Sequence, residues 1–202
     1  MTETMLLIGL TILFVVTFIT RNLLVQKRTG KAVRSRDRFV ALSVVSSILC
    51  FVAVILSTNE PVYRFMGVIS SLRHPLVSSI GLALLGFSII LVWIVSAQMK
   101  NSWRVGMHED QKTELIQDGL YAYVRNPYFL SYYILFFGLF LVRPSLVILL
   151  LVGVTVFTFH KMILKEETYL LATHGSAYRG YKAKTGRYLP WFKKIGISET
   201  AH

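Results

Sequence analysis

The sequence predicts an all-α integral membrane bundle of about five transmembrane helices, and three observations carry that reading. Only 16% of the 202 residues are charged and 54% are hydrophobic, whereas a soluble domain of this size carries about 25% charged residues. The apolar residues fall in five long runs spread along the whole chain, and runs near 18 residues or more are the mark of membrane spans. Lys and Arg collect in alternate connections between those runs, which is how membrane proteins fix their orientation.

The runs are 5–20, 39–58, 76–97, 129–142 and 146–164. At 1.5 Å per helical residue the second, third and fifth can cross about 30 Å of hydrocarbon, while the first is marginal. The sequence Met1-Thr2-Glu3-Thr4 lacks the positive start of a signal peptide, so the first run is expected to be a retained helix. The fourth run has 14 residues, about 21 Å as a helix, so it is short, tilted, or extended by the polar segment before it. Arg143-Pro144-Ser145 reads as a tight turn that makes the last two spans an antiparallel hairpin. The single cysteine, Cys50, lies inside an apolar run and reads as a small buried hydrophobe. No repeat or low-complexity tract interrupts this plan, so one helical bundle is expected, with short cytoplasmic helices.

The chain carries 22 Lys and Arg against 10 Asp and Glu, a net charge of +12. Nineteen of the 22 basic residues fall on one side of the predicted membrane and three on the other. The positive-inside rule therefore puts the N-terminus outside and the C-terminus in the cytoplasm. Clustered cations in such a chain mean topology and contact with anionic membrane lipids, so no nucleic-acid partner is expected.

Familiar catalytic devices are missing: no glycine-rich dinucleotide or phosphate loop, no H-E-x-x-H, no C-x-x-C. His108, Glu109 and Asp110 are adjacent, so on a helix they diverge and make a poor ligand set; no metal is expected. What remains is polar residues pressed against membrane ends, where burial is costly and function is concentrated. One such segment runs from Leu115 and Ile116 through Gly119, Tyr121, Arg125, Asn126 and Pro127 into the fourth span. Gly119 permits a turn, and Pro127 suits the first turn of the next helix. Arg125 and Asn126 then flank a helix N-terminus, where free N–H groups favour an anion. The other segment, Lys165-Glu166-Glu167-Thr168-Tyr169-Leu170, follows the fifth span and holds the adjacent acidic pair. A hairpin at Pro144 brings both segments to one membrane face. Singly, Arg125 also reads as a positive-inside anchor, the two glutamates as a solvated face, and the tyrosines as an interfacial belt.

The order of these elements is Gly119, Tyr121, Arg125-Asn126-Pro127, an apolar hairpin, Glu166-Glu167-Thr168-Tyr169-Leu170, then Gly175, Tyr178, Tyr181, Arg187 and Pro190. That order resembles the isoprenylcysteine carboxyl methyltransferases over about residues 100–192. The resemblance divides the chain into a three-span region 1–99, a methyltransferase-like region 100–192 and a cytoplasmic tail 193–202. It implies that S-adenosylmethionine binds between the polar loop and the hairpin's cytoplasmic end. Thr113, Glu114, Leu115, Ile116, Gly119, Tyr121, Asn126, Pro127, Tyr128, Phe129 and Glu166 would line that pocket, with His108 beside them. Arg125, Asn126, Glu166 and Glu167 would form the catalytic group. Glu166 suits the cofactor's ammonium or ribose hydroxyls, Arg125 its carboxylate or the loop's orientation, and aromatic rings its sulfonium. A lipophilic methyl acceptor would reach the site from the bilayer.

Three positions depart from the pattern: Asn126 replaces a histidine, Phe129 stands where the motif has tyrosine beside Tyr128, and Met162 replaces an arginine associated with the substrate carboxylate. Lys165, three residues on from Met162, is the expected stand-in cation, ahead of Lys161. The best-fitting activity is O-methylation of a prenylated cysteine's carboxylate. A phospholipid or small-molecule N- or S-methyltransferase shares the same cofactor site. A sterol-type NADPH reductase fits less well, because Leu130-Ser131-Tyr132 stands where those enzymes carry a glutamate, and a non-catalytic scaffold leaves the acidic pair without a purpose.

Overall fold

The computed structural model describes residues 2–29, 38–99 and 115–190. Among the described residues, six α-helices make up the bundle: α1 (Thr2–Thr29), α2 (Arg38–Leu56), α3 (Glu60–Phe65), α4 (Pro75–Gln98), α5 (Pro127–Val142) and α6 (Leu146–Lys184). α1, α2, α4 and α6 are each long and apolar enough to cross a membrane, and α5 is a shorter apolar helix. The chain is therefore an all-α, multi-pass membrane bundle.

Local chemistry sets the helix ends. Asn59 caps α3, His74 caps α4 and Ser145 caps α6, each accepting from a backbone N–H in the first turn, which satisfies donors that a helix start leaves free. α5 begins at Pro127, two residues before its apolar run, because proline fits the first helical position without needing an N–H. That gives 16 residues, about 24 Å, which is still short for a span. α1 differs from expectation: the basic segment after residue 20 continues as helix to Thr29, since Arg, Leu, Gln and Lys are good helix formers.

The helices pack in a definite order, with α4 along α5, α1 on α4 and α2 on α6. The α4–α5 seam is close because Gly81 and Gly138 face each other. A Cβ on Gly81 would lie 2.8 Å from the Gly138 carbonyl oxygen and 2.7 Å from a Val142 methyl. Small residues at such a crossing are how membrane helices gain contact without a hydrophobic driving force between them. At the expected outer end, Ile69 N–H donates to the Pro144 carbonyl at 3.0 Å, and Leu146 N–H donates to Gly67 at 2.9 Å. These bonds tie the α3–α4 connection over the α5–α6 turn. An exposed Glu60–Arg73 pair, with bonds of 2.9 and 3.0 Å, braces that connection.

α6 has 39 residues with a kink at Gly175; the stretch before the kink, 146–174, is about 43 Å long, well beyond the hydrocarbon thickness of about 30 Å. Its apolar part, 146–164, is the span; the helix continues past the span's end to the kink, and a short second helix follows. The break comes at Gly175 (φ 52°, ψ −118°), a backbone conformation that glycine alone adopts readily. Beyond it, 176–184 turns back towards the loop that precedes α5.

Candidate active site

The loop 115–126 is fixed from both sides. Gly119 has φ +61°, and a Cβ there would sit 2.5 Å from the Gln98 side-chain nitrogen. Gln98 Oε1 accepts from Leu120 N–H at 3.0 Å, so the end of α4 holds the turn. From the other side, the Tyr181 hydroxyl donates to the Tyr121 carbonyl at 2.7 Å. Arg125 N–H donates to the Gly186 carbonyl at 2.8 Å, within a short bridge between Val124 and Gly186.

An ionic clasp locks this junction. Glu167 Oε1 accepts from Arg125 Nε at 3.2 Å, Asn126 Nδ2 at 3.2 Å and Arg187 Nε at 3.0 Å, and Oε2 accepts from Arg187 Nη2 at 2.9 Å. Arg125 Nη1 also donates to the carbonyls of Lys182 and Thr185. The side chains of Glu167 and Arg125 are only 7% and 9% exposed. Charge-assisted and bidentate bonds of this kind are the strong ones. Burial raises the Glu167 carboxyl, but the hydrogen bond from Arg187 and the charges of both arginines outweigh it, holding the group below the usual glutamate range.

Beside the clasp lies a cavity of about 370 Å³, bounded by α1, α2, α5, α6 and the loop, within the range of small-molecule sites, about 300–1,000 Å³. Its polar end is made by Tyr121, Arg125, Asn126, Glu166 and Tyr181, and its other walls are mostly apolar, with Ser43 and Ser47 among them. Phe159, Met162, Glu166 and Leu170 recur along one stripe of α6, as helical spacing of three and four requires. Tyr132 stands edge-on to Phe14, Tyr128 and Phe159 at 5.3, 4.9 and 5.4 Å, and the Tyr128 and Tyr132 hydroxyls share a 2.5 Å hydrogen bond. Ile19 of α1 and Ile48 of α2 line the cavity yet are 49% and 54% exposed, so its edge reaches the surface between those helices. Phe14 and Phe136, deeper along the spans, are buried.

Several expected residues do meet here: Leu115, Ile116, Tyr121, Arg125, Asn126, Tyr128, Phe129, Met162 and Glu166 all line the cavity. Four others do not. Adjacent helical residues point about 100° apart, so Glu166 reaches the cavity and Glu167 turns into the clasp. Gly119 makes the turn against Gln98, and Pro127 is buried at the start of α5. Lys165 lies over the Phe39 ring of α2 at 4.8 Å instead of sharing the wall with Met162, while Lys161 lies over Phe157 at 5.3 Å. His108, Thr113 and Glu114 lie outside the described residues. The walls that sequence reasoning missed come from α1 and α2, above all Phe14, Phe18, Ser43 and Phe51, together with Tyr132 and Phe159. Tyr181, Arg187, Tyr121 and Glu167 all stand at motif positions, but the pairing of Tyr181 with Tyr121 and of Arg187 with Glu167 was not legible in the sequence.

Two comparisons bear on this site. A family model described as phospholipid methyltransferase matches residues 76–177. The protein-S-isoprenylcysteine O-methyltransferase of Schizosaccharomyces pombe is 29% identical over 114 residues, 56% of this chain and 48% of that protein. The match thus spans about half the length of that relative. The family match runs from the start of α4 past the Gly175 break, and so includes the loop, the hairpin and Glu166.

Proposed function

The chain belongs to the phospholipid methyltransferase family, and on that footing we propose that it transfers a methyl group from S-adenosylmethionine to a lipophilic acceptor, foremost the carboxylate of a prenylated cysteine. The observation that carries this reading is the two-ended cavity, polar where the loop meets α6 and apolar where it runs between the spans. A donor from the cytoplasm and an acceptor from the bilayer need such a chamber. The charge distribution supports a cytoplasmic site, with the N-terminus outside.

The residues present fit the cofactor. Glu166 is an acceptor suited to an ammonium or to ribose hydroxyls, Tyr121, Asn126 and the backbone around Phe129 offer polar and stacking contacts, and the rings of Tyr128, Tyr132 and Phe159 suit a cation. When bound, S-adenosylmethionine supplies a methyl group on a positively charged sulfur. A carboxylate acceptor is already an anion: its oxygen forms the new bond to the methyl carbon as the carbon–sulfur bond breaks, and no proton moves. Two opposite charges are thereby consumed. Apolar walls such as Phe14, Phe18 and Met162 favour that change, because they solvate the charged reactants less well than water does. The protein's task is then to position and desolvate.

Met162, where prenylcysteine enzymes of similar sequence carry arginine, favours a second reading in which the acceptor is a phospholipid amine. An amine must lose a proton, and Glu166 is the carboxylate on the cavity wall that could receive it. Incubating the reconstituted protein with methyl-labelled S-adenosylmethionine and either N-acetyl-S-farnesylcysteine or phosphatidylethanolamine separates the two. Label released as methanol by mild alkali marks a methyl ester and supports the first reading. Alkali-stable label in phospholipid supports the second, and label in neither acceptor refutes both.

A further inference from the structure

On each of the four helices that wall the cavity, the lining residue farthest from the loop is a phenylalanine: Phe14 on α1, Phe51 on α2, Phe136 on α5 and Phe159 on α6. The helix directions fix this depth. α5 leaves the loop at Pro127, and α6 runs back towards it. α1 reaches the loop end with Arg21, which donates to the Ser96 carbonyl near the end of α4. α2 starts at the same end, where the Lys165 ammonium lies over Phe39. The four rings meet in a row, with centroids 6.1 Å apart for Phe14 and Phe51, 5.7 Å for Phe51 and Phe136, and 6.2 Å for Phe136 and Phe159. We infer that this row is the floor of the acceptor site and limits the length of the acceptor's tail, so that the acceptor carries one isoprenoid chain no longer than farnesyl.

Depth, stiffness and entry each bear on this. On α5 the chamber runs from Asn126 to Phe136, ten residues or about 15 Å of helix rise. Under the methyltransferase reading, on which this inference rests, the cofactor takes the polar end of that length. An extended geranylgeranyl chain is longer than the whole of it. Aromatic rings at these spacings hold one another in place. Phe14 also stands edge-on to Tyr132 at 5.3 Å, and Phe14 and Phe136 are buried, so neither ring swings aside without displacing close-packed neighbours.

Above the floor, Ser43, Val44 and Ser47 make the wall of α2. The Ser43 hydroxyl donates to the Val40 carbonyl of its own helix at 2.8 Å, so this small side chain leaves room for a tail without presenting it a free donor. The opening to the surface lies between Ile19 and Ile48. About one turn deeper, the contact of Phe14 with Phe51 shuts the same seam. A tail that enters at the isoleucines therefore runs down onto the floor instead of passing out between α1 and α2.

The test is a chain-length series of N-acetyl-S-geranyl-, farnesyl- and geranylgeranylcysteine, with kcat/KM for methylation of each by the protein in lipid nanodiscs. Wild type should favour farnesyl over geranylgeranyl by at least about tenfold, the scale on which an apolar pocket discriminates by size. Phe51→Ala opens the floor and should remove most of that preference. Phe51→Leu opens it less and should give an intermediate ratio; it carries the test if Phe51→Ala does not fold, which binding of S-adenosylhomocysteine reports. Ser47→Leu, one turn nearer the loop on the same face of α2, raises the floor and should move the preference towards geranyl. Shifts of opposite sign are not what general destabilisation produces. Equal kcat/KM for farnesyl and geranylgeranyl in wild type, or a ratio that neither Phe51→Leu nor Ser47→Leu moves while both bind S-adenosylhomocysteine, overturns the inference and leaves the methyltransferase reading standing. Transfer to none of the three prenylcysteines overturns it together with the prenylcysteine reading. A wild type that binds no S-adenosylhomocysteine overturns the methyltransferase reading as well.

Discussion

The adjacent glutamates make the sharpest contrast available, because one turn of backbone chemistry gives them opposite duties. Glu167→Gln removes the charge that two guanidiniums share, leaving Arg125 at 9% and Arg187 at 32% exposure facing a neutral amide. Breaking a buried ion pair costs about 3–5 kcal/mol. Gln keeps one acceptor oxygen and Arg187 keeps contact with water, so the expected loss of stability is about 2–3 kcal/mol. Glu166→Gln leaves the clasp intact and should cost less stability than Glu167→Gln, while weakening S-adenosylmethionine by at least about 1.5 kcal/mol, or roughly tenfold. Thermal unfolding in one detergent, followed by near-UV circular dichroism, reads the first quantity, and calorimetric titration reads the second. Equal destabilisation by both substitutions, or a Glu166→Gln protein that binds the cofactor as tightly as wild type, would refute the division of labour drawn from the geometry.

Three further outcomes follow from other parts of the bundle. Gly81→Ala should destabilise by about 1–3 kcal/mol, the usual penalty of overpacking, because its Cβ would meet backbone of α5. Gly86→Ala on the same helix, with nothing within 4 Å of its Cβ, should be neutral, and the two unfolding midpoints measured side by side check the pair. The clasp should also make stability fall in acid. The Glu167 carboxyl lies below its ordinary value, so its contribution is intact above the unfolded glutamate value near 4.3 and is lost as pH falls through the lower folded one. Unfolding scans from pH 6 to 2 should therefore show a drop confined to the acid end that Glu167→Gln makes smaller. Finally, Lys182→Cys in Cys50→Ala protein should react with a membrane-impermeant maleimide only when the cytoplasmic face is open; labelling of intact cells would reverse the orientation.

The fold was legible because membrane physics writes it in long apolar runs, and the hairpin because Arg143-Pro144-Ser145 is a turn signal between two of them. The polar half of the site was legible too, since Tyr121, Arg125, Asn126 and Glu166 stand where charge is expensive. The apolar half was not. The apolar runs of α1 and α2 are hydrophobic nearly all round, so no periodicity distinguishes Phe14 or Phe51, which line the cavity, from Leu13 or Leu49, which are exposed. Glu167 was hidden for another reason. Nothing in the sequence tells which of two neighbouring carboxylates meets the cavity until the helical phase of α6 is known. The place of Lys165 was hidden by the same point, because three residues along a helix still leave a 60° offset, and its ammonium lies over Phe39. Arg187 lies twenty residues from its partner, across the Gly175 break, a distance that only the turned helix closes.

The central claim is that the polar end of the cavity holds S-adenosylmethionine through this chain's own loop and α6. Calorimetric titration of the purified protein with S-adenosylmethionine, and in parallel with NADPH, tests it most directly. The account predicts one saturable site for S-adenosylmethionine, weakened by Glu166→Gln, and no heat from NADPH beyond dilution. Saturable binding of NADPH with none of S-adenosylmethionine would contradict it.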